Sequence, residues 1–108
     1  MPFDGSYDEV LSILTEGRRF VERAWNQGSC RGQGNSVCAG QAINMFGNRS
    51  PQNRLAAEVL TAAIPNGFVP ERGMDFCVAS YNDASTTTHE DILALFDRAI
   101  IARIEAVA

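Results

Sequence analysis

The sequence predicts an all-α fold, a single small domain of four to five helices packed around one core, and three observations carry that reading. Apolar residues recur at spacings of three and four in several separate stretches, the repeat of helices that each bury one face. Ser, Thr, Asn or Asp stands ahead of these stretches, and Gly or Pro closes most of them. Only the segment 75–81 alternates in the manner of a strand, and no second β-rich segment exists to pair with it.

The length of 108 residues suits one domain spanning 1–108, with 1–5 and 106–108 expected to fray. Ser6 and Glu9 match the capping box ahead of a long amphipathic helix carrying Val10, Ile13, Leu14, Gly17, Phe20, Val21 and Ala24 on one face and ending between Trp25 and Gly28. A glycine inside a helix costs up to about 1 kcal/mol against alanine, so Gly17 on the apolar stripe marks a close approach by another element. Gly28, Gly32 and Gly34 make 28–36 a loop. Asn35 or Ser36 then caps a second helix with Val37, Ala39, Ala42, Ile43 and Phe46, stopped at Gly47-Asn48.

Ser50-Pro51 opens a third helix in the favoured order of cap followed by proline, with Leu55, Ala56, Val59, Leu60, Ala63 and Ile64 as its buried face. Pro65-Asn66-Gly67 ends it, and Phe68 to Gly73 reads as a loop. Asp75 to Tyr81 is taken as a short helix capped by Asp75. The final helix is entered through Thr87 with Glu90 or Thr88 with Asp91, a choice that three consecutive threonines leave open by one residue. Its face is Ile92, Leu93, Phe96, Ala99, Ile100 and Ile104. The first and last helices should form the longest walls of the core, with Val10, Leu14, Phe20 and Val21 facing Ile92, Phe96, Ala99 and Ile100.

A formal charge of −4 and the absence of lysine argue against a general nucleic-acid binder, which needs concentrated cationic surface. Arg18, Arg19 and Arg23 share part of one helical face, where Glu16 and Glu22 offset them. No stretch approaches the roughly 18 apolar residues that cross a bilayer, and the expected location is the cytoplasm. Three cysteines are an odd number and fit a reducing compartment.

Residues able to carry chemistry are few. Cys38 near a helix start, His89 as base and Asn82 or Asp83 as its orienter make a thiol constellation on paper, although His89 itself sits in the first turn of a helix. Cys30, Cys38, Cys77 and His89 have the atoms for zinc but no tight Cys-x-x-Cys or closely spaced His pair, so no metal and no cofactor is expected. The glycine loop fits neither phosphate-binding spacing. A small-ligand or nucleotide pocket would be framed by Asn82, Asp83, His89, Tyr81 and Trp25 with the 28–36 loop. The competing reading makes Asn82-Asp83 a turn and helix-entry device and places most of Trp25, Phe46, Phe68, Phe76, Tyr81 and Phe96 in the core.

Cys38-Ala39-Gly40-Gln41-Ala42-Ile43, Tyr81-Asn82-Asp83 and the Thr88, Glu90, Asp91 entry to the last helix resemble an uncharacterised actinobacterial and actinophage family of unknown function. Its members show a Cys-Ala-x-Gly-Ala-type motif and Trp-Asn-Asp ahead of a capped final helix. The likeness runs from about Val10 to Ala102, with Tyr81 where tryptophan is usual and Gln41 between Gly40 and Ala42. It implies a helical fold and an actinobacterial or phage origin, and it supplies no mechanism.

These readings converge on a small non-enzymatic accessory protein that binds a host or phage protein, with the ligand pocket as the alternative. Ile101, Ile104 and Val107 leave monomer and homodimer both open.

Overall fold

The first and last helices lie side by side in opposite directions and form the wall on which the other elements rest. A computed structural model describes residues 8–25, 39, 42–43, 50–73 and 75–108. The four helices among these are α1 (Glu9–Ala24), α2 (Pro51–Ala62), α3 (Val78–Asp83) and α4 (His89–Val107), and no strand occurs among the described residues. Ala39, Ala42 and Ile43 are helical and buried. The rest of the expected second helix, its caps and Phe46, lies outside the described residues, as do Ser6 and residues 1–5.

Helices α1, α2 and α4 each begin where a short side chain can accept a first-turn backbone N–H. Asp8 takes the Leu11 N–H at 3.0 Å, so the cap of α1 is Asp8 and not the expected Ser6. Ser50 does the same for Asn53 at 3.1 Å, with Pro51 behind it as the sequence predicts. In α4 the ambiguity resolves to Thr88 and Asp91, which exchange bonds of 3.1 and 2.9 Å as a capping box. Thr87, the other candidate, is buried instead. The short helix is present, but it starts later than expected and its cap is Cys77, with no side-chain bond to the backbone, where Asp75 was the predicted cap. Helix α4 keeps its form to Val107, within the stretch where fraying was expected.

Packing follows the apolar stripes. Leu14, Val21, Leu60, Ile92, Leu95, Phe96 and Ala99 are shielded from water, and Phe20, Leu93 and Ile100 pack at the margin. At Gly17, a β-carbon would stand 3.1 Å from the Phe96 ring and 3.4 Å from Ile43, so the missing side chain is what lets α4 close on α1. Leu55 faces solvent and does not join the predicted face of α2. Its place is taken by Asn53, three residues before Ala56 on the buried side, whose amide satisfies the Ile43 carbonyl at 2.7 Å.

The α1/α4 seam is fastened along its length. Arg103 reaches Asp8 at 3.2 Å at one end, Arg18 grips Asp97 at 2.6 and 3.3 Å near the middle, and His89 meets the Val21 carbonyl at 2.8 Å at the other end. Arg19 pairs with Glu16 and Arg18 also approaches Glu22, so most of the predicted arginine face is offset by neighbouring acids.

Candidate functional site

Helix α1 ends at Ala24, and Trp25 follows as its C-cap with extended backbone. Helix α3 places Asn82 opposite it, completely buried. The Asn82 carbonyl oxygen accepts from the Trp25 indole N–H at 2.7 Å and from the Ala39 backbone N–H at 3.0 Å. Its amide nitrogen donates to the Asp83 carboxylate at 2.9 Å. One amide side chain therefore ties the residue before the 26–38 stretch to the residue after it.

His89 supplies the third member of this junction. The first residue of α4, it lays its imidazole against the Trp25 indole with ring centroids 5.3 Å apart and planes only 6° from parallel. Its Nε2 faces the Val21 carbonyl in the last turn of α1, and a carbonyl can only accept. Nε2 must therefore carry a hydrogen, and it satisfies a carbonyl that the end of α1 leaves without a helical partner. In this geometry Nε2 acts as a donor and offers no lone pair to a substrate.

Of the residues singled out in the sequence, Trp25, Asn82, Asp83 and His89 come together here. Tyr81 is on the same short helix and buried, but it packs edge-on against Phe68 with centroids 5.0 Å apart. Burial pushes its phenol above the ordinary tyrosine range and the Asp91 charge adds to that, while Arg98 and its hydrogen bond to the phenol work in the opposite sense. Cys30, Cys38 and the 28–36 loop lie outside the described residues. Cys77 sits at the start of α3 with its sulfur 3.4 Å from the Ser80 hydroxyl. No cluster of three potential metal ligands occurs among the described residues.

Asn82 is thus more than the turn device that its neighbours in the sequence suggest: its partners at Trp25 and Ala39 are 57 and 43 positions away. Its place inside a buried short helix made the difference, and hydropathy patterning of so short a segment did not reveal it.

These elements fall within one recognised sequence family. The chain belongs to DUF6197, a family of unknown function, which it matches over residues 6–102. That span takes in α1, α2, α3 and α4 as far as Ala102, so the DUF6197 match includes the whole Trp25, Asn82 and His89 junction. No curated protein and no solved structure matches the chain significantly.

Two surface features escaped the sequence reading. An open groove of about 300 Å³ runs between α2 and the second half of α4, lined by Val59, Ala62 and Ala63 on one side and Arg98, Ala102, Arg103 and Ala106 on the other. Arg98 Nε donates to the Ala63 carbonyl at 2.9 Å and caps the end of α2 there. The second feature is an aromatic step between α2 and α3: Phe68 bridges buried Tyr81 to Phe76, which is 48% exposed, and Val69 beside it is 80% exposed. Glu71, Arg72 and Asp75 of the same segment are exposed, and Gly73 holds the turn with φ of +84°, in the left-handed region that favours glycine. No helix among the described residues is long and apolar enough to cross a membrane.

Proposed function

We propose that this chain is a small non-enzymatic accessory protein, encoded by an actinobacterium or one of its phages, that works in the cytoplasm by binding a host or phage protein. The observation that supports this reading is the exposure of Phe76 and Val69 on a turn braced from beneath by Phe68 and Tyr81. An exposed apolar pair with an aromatic anchor, in a segment that also exposes Glu71, Arg72 and Asp75, has the make-up of a protein-contact patch. Bracing matters because an anchor already held in place loses less freedom on binding. A small-ligand site built from Trp25, Tyr81, Asn82, Asp83 and His89 draws less support. The Asn82 carbonyl already receives two donors, and the Nε2 proton of His89 is spent on Val21.

The test is crosslinking in the native host, followed by reconstitution with the purified partner and calorimetry on wild type and on the Val69→Ser, Phe76→Ser double variant. Helical circular dichroism should be unchanged in that variant, because both residues lie outside the helices, Val69 largely and Phe76 about half in solvent. Affinity should fall at least about tenfold, the usual consequence of removing an interface anchor. Equal affinity of the two proteins for the reconstituted partner, or no partner enriched over a control bait, would overturn the proposal.

A further inference from the structure

The second half of α4 carries an exposed stripe that is complementary to itself. Ile101 is 56% exposed, the most exposed large apolar residue of any helix among those described, and Ala102 beside it is exposed as well. Arg98 precedes this pair and Glu105 follows it, both exposed and seven residues apart. Seven residues are close to two helical turns, which returns both charges to the same side of the helix as Ile101. Arg98 is also held in place, since its Nε is bonded to the Ala63 carbonyl at the edge of the α2/α4 groove.

A two-fold axis pairs residue i of one copy with residue j of the other and j with i. When two α4 helices run antiparallel about an axis between positions 101 and 102, the large Ile101 of each copy meets the small Ala102 of the other. The same register sets Arg98 of each copy against Glu105 of the other, so both favourable contacts occur twice. A parallel pairing would instead oppose arginine to arginine and glutamate to glutamate. The groove floor of Ala63, Ala102 and Ala106 leaves room beside the helix for the incoming isoleucine.

We infer that this face of α4 takes a second copy of the same chain, forming an antiparallel two-fold homodimer centred on Ile101 and Ala102. Arg98 lies between this face and the Tyr81-braced step, so Ile101→Glu on one side and Val69→Ser, Phe76→Ser on the other are the variants that let the two proposals fail independently.

Sedimentation equilibrium on the full chain should give a concentration-dependent species of twice the 11.7 kDa chain mass. Ile101→Glu should weaken dimerisation at least tenfold while leaving the helical signal intact, because the side chain is mostly in solvent. Glu105→Arg should weaken it by a similar factor by opposing Arg98. The double variant Arg98→Glu, Glu105→Arg restores opposite charges in the same register and should recover most of the lost affinity. A protein that stays monomeric up to about 1 mM, or a dimer unaffected by Ile101→Glu, overturns the inference. Failure of the double variant to recover what Glu105→Arg loses overturns the antiparallel register. Dimerisation of the Val69→Ser, Phe76→Ser variant should match that of wild type.

Discussion

At one end of the α1/α4 pair, Asp8 holds Arg103 across 95 positions of sequence; at the other, the Asn82 amide gathers Trp25, Ala39 and Asp83 beside the His89 ring. The first fastening is ionic and in partial contact with water, its side chains 12% and 21% exposed. The second is built on an amide with no exposure at all. The difference lies in what remains when a partner is lost. Water can replace either member of the Asp8 pair at modest cost, whereas the Ala39 N–H is buried and keeps a large desolvation penalty once its acceptor is gone. The Asp8 end adjusts the stability of the seam, and the Asn82 end decides whether Trp25 and Ala39 are held together.

That contrast breaks most plainly at Asn82. Asn82→Ala leaves the Trp25 indole N–H and the Ala39 N–H without their shared acceptor, and the expected loss is about 3 kcal/mol in urea denaturation. Trp25 is the only tryptophan, so its fluorescence should shift toward that of a solvated indole in the same variant. A loss below about 1 kcal/mol would show that water reaches the junction and that the two ends differ less than their burial implies.

Asp8 sharpens the comparison because one carboxylate does two jobs, capping α1 through Leu11 and pairing with Arg103. Asp8→Ala removes both and should cost about 1.5 kcal/mol, of which about 1 kcal/mol is the cap. Asp8→Asn keeps an acceptor for Leu11 and discards the charge, so it should cost about 0.5 kcal/mol. Thermal melts of the two variants at low ionic strength separate the contributions. Equal losses would mean that the ion pair, and not the cap, carries this end.

Much of the architecture was legible in the residues themselves. The stripes of α1 and α4, the Ser50-Pro51 start and the close approach at Gly17 are local or periodic signals, and each has a direct counterpart in the packing. Caps were less secure because Asp8 competes with Ser6, and three threonines offer nearly equal hydroxyls; the choice falls to where the chain is going. Trp25, Asn82, Asp83 and His89 were recognised as unusual residues, yet their relation is tertiary. An asparagine beside an aspartate looks like a turn until the indole and a backbone N–H from elsewhere in the chain are seen to converge on it. Asn53 could have been suspected, since 53, 56 and 60 share one face of α2 and a polar residue on a buried stripe needs a partner. The groove beside Arg98 and the Phe76 step depend on which apolar side chains are left over after packing, and periodicity alone carries no such information.

The middle of the seam gives the smallest effect and the clearest distinction between the two kinds of fastening. Arg18 meets Asp97 with two nitrogens, and the hydrogen bond to Asp97 holds the guanidinium above its ordinary pKa, but the side chains are 29% and 52% exposed. Good geometry in open water still leaves each charge well solvated when the pair is broken, so a double-mutant cycle through Arg18→Ala and Asp97→Ala should give a coupling of about 0.5 kcal/mol at low salt. At 1 M salt the screening length falls to about 3 Å and that coupling should fade toward zero. Most of the loss caused by Asn82→Ala should survive the same change, because the buried bonds to Trp25 and Ala39 join neutral groups and only the bond to the Asp83 carboxylate involves a charge. A coupling at Arg18 that survives 1 M salt would assign the stability of this pair to its two-pronged hydrogen bonding, and the middle of the seam would then resemble the Asn82 end more than the Asp8 end.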